Sequence, residues 1–265
     1  MIVLFSDFGY SGPYVGQVAA VLERDAPGVA RIDLMHDAPV HDPRASAYLL
    51  AALVDEFPPG AVFLAVVDPG VGGDRPPVVA RAGGRWFAGP GNGLFEIVMR
   101  RAANSRLWRI ADKPDRLSAS FHGRDLFAPV AARLARRLAE TRPPISDPPD
   151  IAVKPFPDRP RPGADWPDDL WEVIYVDHFG NAMTGVRSAT LFGHEVLEIG
   201  TDDGARLCID HARTFSDRPL GAPFWYCNAL GLVEIAINKG RADRRLGLRI
   251  GSPVRLPETA SGAGT

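Results

Sequence analysis

Short, nearly unbroken apolar runs alternate with polar, glycine-rich segments along the first half of the chain. Residues 2–6 form one such run and stop at Ser6-Asp7-Phe8-Gly9, the pattern of a buried strand meeting a loop. Val15 to Leu22 is spaced as a helix that closes near Pro27-Gly28, and Ala30 to Leu34 reads as a second strand. Ala45 to Val54 predicts a helix, and the Pro58-Pro59-Gly60 breaker after it precedes the strongest strand, Ala61 to Val67. Val78 to Ala82 and Trp86 to Ala88 read as strands around a Gly83-Gly84 turn. This alternation predicts an α/β domain built on a mostly parallel sheet with flanking helices. A long amphipathic helix is expected from about Asp125 to Leu138, because Leu126, Val130, Leu134 and Leu138 recur every four residues. Arg133, Arg136 and Arg137 fall near its C-terminal end, where positive charge suits the macrodipole, so they read as a solvated helix end.

The pattern then changes. Nine prolines fall between Pro143 and Pro167, a density that excludes a helix or a central strand and reads as an interdomain linker. From Leu170 onward short strands and turns follow one another: Trp171–Val176, Val196–Ile199, Arg206–Ile209, Gly231–Ile237 and Pro253–Leu256. They predict a small all-β domain, a sandwich or barrel. The expected organisation is an N-terminal α/β domain at 1–142, a linker at 143–169, a C-terminal β domain at 170–258 and a flexible tail at 259–265.

Composition adds exclusions. The 265 residues carry 30 Lys and Arg against 32 Asp and Glu, a net charge of -2, so no strongly basic face for nucleic acid is expected. Two cysteines, Cys208 and Cys227, make no disulfide framework, and no CxxC spacing suggests zinc. His36, His194 and His211 stand without a ligand-spaced partner, and no metal is expected. No apolar stretch approaches a membrane span, and Met1-Ile2-Val3-Leu4-Phe5 lacks the basic start of a signal peptide. A cytoplasmic protein is expected. The 27 glycines and 25 prolines, about a fifth of the chain, are the one oddity, since average usage is about 12%.

Candidate chemistry lies where polar residues interrupt the apolar runs. Two strands end in an acid beside glycine, at Ser6-Asp7-Phe8-Gly9 and Asp68-Pro69-Gly70-Val71-Gly72-Gly73. Each Asp alone is as readily a turn cap, but two at strand ends favour a pocket. Neither is a phosphate loop. Ser120-Phe121-His122-Gly123-Arg124-Asp125 puts a histidine at a helix start, as a titrating group or a structural cap. Val176-Asp177-His178-Phe179-Gly180-Asn181 joins acid, aromatic and amide within a few residues, suiting a ligand with hydroxyls and a ring face, or else a plain hairpin turn. In the strand from Tyr226 to Gly240, Asn228, Glu234 and Asn238 are the polar positions that merit functional attention.

Taken in order, SDFG, VDPGVG, the Gly89-Pro90-Gly91-Asn92-Gly93 loop, FHGRDLFAPVAA, DHFGN and NALGLVEIAIN resemble one family over about residues 1–255. It is the S-adenosylmethionine (SAM) hydroxide adenosyltransferases, the adenosine-forming SAM hydrolases related to the fluorinase and chlorinase enzymes. The resemblance implies an N-terminal α/β domain, a linker and a C-terminal β-barrel-like domain. It also implies a homotrimer with sites formed between one subunit's N-terminal domain and its neighbour's C-terminal domain. The partners implied are SAM as small-molecule substrate and further copies of the chain, with no cofactor, no nucleic acid and no membrane.

The resemblance carries a hydrolytic triad onto Asp68, Arg75 and His122. The halogenating relatives have tyrosines where this chain has Asp68 and His122, so water is implied as nucleophile over halide. For substrate binding it implies Asp7 at the ribose hydroxyls with His41 nearby, Gly123 beside His122, and Phe179 stacked on adenine. It further implies Asn181, Asn238 and Lys239 at the adenine edge, Asp177 at the methionine ammonium, and Tyr226 and Asn228 at the amino-acid end. Gly12, Gly91 and Ala229-Leu230 depart from the family pattern, and the first and last bear on the methionine end. Halide transfer to C5′, and SAM or adenosine binding without turnover, are the competing expectations.

Overall fold

The first apolar run becomes β1 (Ile2–Ser6), which lies between β2 (Arg31–Met35) and β3 (Val62–Val66) and runs parallel to both. The structure is a computed structural model that describes residues 1–111, 114–140, 147–148, 151–156, 161–201 and 204–257. It divides into two units, Met1–Asp165 and Trp166–Thr265.

In the first unit, α1 (Tyr14–Asp25) and α2 (Pro43–Leu53) connect the three parallel strands. β4 (Pro77–Ala82), β5 (Arg85–Pro90), α3 (Glu96–Arg101), β6 (Ser105–Ile110), α4 (Ala128–Glu140) and β7 (Val153–Pro155) follow. The seven strands form one sheet in the order β2-β1-β3-β5-β4-β6-β7. Pairing is parallel from β2 across to β5 and antiparallel from β5 to β7. Every residue of β1 and β3 is buried, which is why these strands read as continuous apolar runs without alternation. On one face Leu4, Leu64, Val66 and Trp86 pack with Val18 and Leu22 of α1 and with Val130 and Leu134 of α4. Each such side chain contributes roughly 1.5–3 kcal/mol by leaving water. Asp42 caps α2 by accepting from the Ala45 backbone N–H at 2.9 Å, with Pro43 in the first turn.

The helix expected from Asp125 opens instead as a π-helical turn over Gly123–Phe127 and becomes α4 at Ala128, with Leu126, Val130 and Leu134 buried as the spacing required. Arg136 at its end reaches the Asp25 carbonyl, and Arg137 pairs with Glu140. Within the segment read as linker, β7 pairs along β6, with Pro155 opposite Trp108. Pro155 is tolerated there because β7 lies at the sheet edge. Arg161 from the same segment pairs with Glu96. The strand β6 and the helix α3 carry too little periodicity to be read from sequence.

The second unit holds β8 (Leu170–Val176), β9 (Ala182–Arg187), β10 (Val196–Gly200), β11 (Arg206–Asp210), β12 (Pro223–Cys227), β13 (Leu232–Ile237), the short α5 (Ala242–Arg245) and β14 (Val254–Arg255). They form a four-stranded sheet, β12-β13-β9-β8, and a three-stranded one, β11-β10-β14. Single bridges join the two at both sides, Glu172 to Pro253 and His211 to Trp225. The result is a barrel-like closure around Val173, Val186, Leu197, Ile199, Trp225, Val233 and Ile235. Among the described residues no helix is long and apolar enough to cross a membrane, and no three His, Cys, Asp or Glu side chains cluster as a metal site would.

Candidate functional site

The parallel pairing of β1 and β3 sets Ser6 beside Val66. The chain therefore leaves both strands at the same, C-terminal edge, and Asp7 and Asp68 emerge from neighbouring strand ends. Ligands of open α/β sheets bind at such edges.

Asp68 is clamped by Arg75. Nε of the guanidinium donates to both carboxylate oxygens at 3.0 Å, and Nη2 donates to Oδ2 at 2.6 Å. Both side chains are largely buried, at 5% exposure for Asp68 and 9% for Arg75. Nη2 also lies 2.7 Å from Nδ1 of His122. A guanidinium has no acceptor, so Nδ1 must accept and the imidazole proton resides on Nε2. Burial, and then the neighbouring Arg75 charge, hold the His122 pKa below its ordinary value against the opposing pull of Asp68 and Asp125. The arrangement is a neutral imidazole with one free donor beside a fixed carboxylate. Arg75 also lies over the Phe127 ring, 5.3 Å from its centroid.

Local structure brings these three side chains together. Gly72 adopts φ +80°, and a Cβ there would stand 2.5 Å from the Ala119 carbonyl oxygen. The loop after β3 can therefore approach the segment before His122 as only glycine permits. Asn92, from the GPGNG loop, donates to the Val67 carbonyl at 2.9 Å and holds the same loop from the other side. The segment before His122 is tied down by Asp125, whose carboxylate accepts from the Ser118 backbone N–H at 2.8 Å and from Arg124 at 2.6 and 2.9 Å. Arg124, and then the Ser118 N–H, hold the Asp125 carboxyl below its usual range against burial. Gly123 is buried, and a Cβ there would meet the Phe8 ring at 2.9 Å.

Asp7 accepts from the His41 backbone N–H at 3.0 Å, and the exposed His41 ring lies 3.9 Å away. His41 adopts φ +57°, a strained conformation for a non-glycine residue. Behind Asp7, Ser6 Oγ and buried His36 Nδ1 lie 2.8 Å apart, and the His36 carbonyl accepts from Gly9 N–H at 2.6 Å. These contacts fasten the SDFG loop to the end of β2.

In the second unit a cavity of about 650 Å³ is lined by Asp177, Phe179, Asn181, Phe215, Tyr226, Ile237, Lys239, Gly240 and Arg241. That volume suits a ligand of nucleoside size. Asp177 shapes its own loop, accepting from the backbone N–H and the side-chain amide of Asn181 at 2.8 and 3.1 Å. Phe179 is 71% exposed and offers an open ring face. Lys239 adopts φ +52° and turns its backbone at the cavity wall.

The cavity thus collects Asp177, Phe179, Asn181, Tyr226 and Lys239 of the expected site. Asn228 and Asn238 do not line it. Asn238 donates to the Arg218 carbonyl at 2.7 Å, and Asn228 accepts from the N–H groups of Leu230 and Leu232 at 2.9 and 3.0 Å. Sequence reasoning missed Phe215 and Arg241. Phe215 packs edge-on against Phe224 and Tyr226, and Arg241 pairs with Asp243 while donating to the His178 carbonyl. Neither residue belongs to a motif that would have signalled it.

Comparison with known proteins gives a consistent result. Residues 2–142 match the model of the SAM hydroxide adenosyltransferase N-terminal domain, and residues 171–255 match that of its C-terminal domain. A Thermus thermophilus protein named (R)-S-adenosyl-L-methionine hydrolase is 41% identical, covering 96% of this chain and 98% of its own. A protein of the same name from Salinispora arenicola is 37% identical over 95% of each chain. Among solved structures, an uncharacterized conserved protein from Thermotoga maritima superposes with a TM-score of 0.78 at 29% identity, covering 96% of this chain and 98% of that one.

Proposed function

The chain belongs to the SAM hydroxide adenosyltransferase family, and on that premise we propose that it hydrolyses S-adenosyl-L-methionine at C5′ to adenosine and L-methionine. The observation that carries this reading is the Asp68–Arg75–His122 cluster, a fixed carboxylate and a neutral imidazole held on one guanidinium. The sulfonium of SAM leaves as a neutral thioether, so the leaving group needs no acid. The reaction needs a water aligned with the C5′–S bond and an acceptor for its proton.

The side chains supply both. His122 Nε2–H donates to the water oxygen and fixes its orientation. Asp68, the one anion of the three, accepts a water proton as the O–C5′ bond forms. The C5′–S bond breaks with its electron pair passing to sulfur, and one proton is released to solvent. Orientation of this kind is worth roughly 7–11 kcal/mol of barrier, and a positioned base a further 10²–10⁴-fold. Arg75 pairs with Asp68 and keeps it aimed. Carboxylate and imidazole at positions 68 and 122 favour water over halide as the nucleophile.

For binding, Asp7 takes the ribose hydroxyls beside His41 and Gly123. Phe179 covers the adenine ring, with Asn181 and the Lys239 backbone at its edge. Asp177 and Tyr226 face the amino-acid end, and Asn228 and Asn238 act by shaping the turns that carry them. The protein works as a homotrimer, without cofactor, on a small-molecule substrate and not on nucleic acid or membrane. The free, exposed Cys208 and Cys227 suit the reducing cytoplasm. The names of the Thermus and Salinispora relatives specify the R configuration at sulfur, and the same epimer is the substrate here.

The test is incubation with each sulfonium epimer of SAM, with and without chloride, followed by chromatography of the products. Adenosine and methionine in equal amounts from the R epimer are expected, and Asp68→Asn should lower the rate by about 10²–10⁴-fold. A 5′-chloro product without adenosine, or tight binding without turnover, would overturn the reading. Light scattering at the mass of three chains checks the assembly.

A further inference from the structure

Glu234 is the one acidic side chain of the second unit that is fully buried among the described residues, at 2% exposure. Strand alternation sets which way it faces. Val233, Ile235 and Ile237 point into the barrel core, while Glu234 points to the opposite face. There it stands directly across from Tyr226 on β12 and close to Phe224 and Ala236, which form a separate apolar cluster with Phe215. Its Oε2 accepts from the Asn228 side-chain amide at 2.7 Å, and the β12–β13 register sets it opposite Tyr226. Among the described residues no arginine or lysine pairs with it.

One carboxyl therefore lies against two structures. Asn228 uses its other atom, Oδ1, to accept from Leu230 and Leu232 N–H and so sets the 228–231 turn. Tyr226 forms a wall of the 650 Å³ cavity together with Asp177. We propose that Glu234 is a positioning residue for the amino-acid end of the substrate, holding Tyr226 and the Asn228 turn in register at the cavity wall. This rests on the SAM-hydrolase reading above. Among the described residues Asp177 is the one acid lining the cavity, near enough to Tyr226 for its charge to act there, and the amino-acid part of SAM carries the α-ammonium that such an acid receives. Burial, with the Asp177 charge adding to it and the Asn228 and Tyr226 contacts opposing, raises the Glu234 pKa.

The test compares Glu234→Gln, Glu234→Leu and Tyr226→Phe in the full chain. KM and kcat are measured for SAM, and affinity for adenosine, which lacks the amino-acid end, is measured by calorimetry. Glu234→Gln keeps an acceptor oxygen of the same shape for Asn228 and should stay within about twofold of the parent in KM. Glu234→Leu should raise KM about tenfold with kcat little changed and adenosine affinity intact. Should the leucine variant not fold, Tyr226→Phe removes the hydroxyl of the residue paired across from Glu234 and should raise KM in the same direction. Unchanged KM in Tyr226→Phe and in a folded Glu234→Leu, equal damage from Gln and Leu, or a parallel loss of adenosine affinity would overturn the proposal. If the parent releases no adenosine from SAM, the hydrolase reading falls instead. The same variants are then judged on SAM dissociation constants by the same criteria.

Discussion

Arg75 donates from a single nitrogen, Nη2, to Asp68 at 2.6 Å and to His122 at 2.7 Å. The second contact forbids a proton on His122 Nδ1, so protonating the ring means breaking it. Burial and the Arg75 charge already disfavour the imidazolium. His122 should therefore stay neutral, and activity should persist, to a pH below the ordinary histidine range near 6.5. The sign follows from the lowered pKa: activity is present above it and lost as pH falls through it. A profile of kcat/KM against pH checks this, and an acid limb at or above 6.5 would contradict it.

Removing the guanidinium strands a buried carboxylate. Arg75→Ala should destabilise the protein by about 3–5 kcal/mol, read from denaturant unfolding. Arg75→Lys keeps the charge but not the fork that holds two partners at once. It should fold better than the alanine variant and still lose about 10²-fold in kcat, because Asp68 and His122 are no longer held in a common frame. Near-parental activity in the lysine variant would show that charge alone suffices.

Gly72→Ala combines an unfavourable positive φ with a backbone clash at Ala119. A loss of at least about 2 kcal/mol in stability is expected, together with reduced kcat, since relief of the clash parts the Asp68 loop from the His122 segment. Gly28→Ala makes the control. Gly28 has a similar φ of +75° but nothing within 4 Å of its missing Cβ, so it should cost less and leave kcat unchanged.

Glu234 has its native pKa raised, so the folded protein keeps a proton that the unfolded chain releases. Its contribution is fully present below the usual carboxyl range and declines as pH rises from there through the raised native value. Melting temperature followed over that window should fall more steeply in the parent than in Glu234→Gln. Parallel curves would mean that the carboxyl does not titrate between the two states.

The parts of the fold that were legible are those whose burial is uniform. β1 and β3 are covered on both faces, so Ile2–Phe5 and Ala61–Val67 announced themselves, and the acids after them marked a sheet edge. The leucine stripe of α4 was equally plain. β6 was not, because Ser105 to Arg109 leave it mostly polar and half exposed. Nor was β7, whose proline suits an edge but argues against a strand. In the candidate site, Arg75 and His122 are 47 positions apart, and no spacing rule links them. They came together through resemblance to a family. The placing of Glu234 against Asn228 and opposite Tyr226 depends on cross-strand register, which a single sequence does not carry.

The two units finish their sheets in opposite ways. In the second, the bridges at Glu172–Pro253 and His211–Trp225 carry pairing round the barrel. The first unit is an open sheet, and each of its outermost strands is made a poor template for another chain. β2 carries the charged Arg31 and Asp33 on an exposed surface, and β7 is three residues long and ends in Lys154-Pro155. Fibril-like growth by strand addition is discouraged at both ends of the sheet.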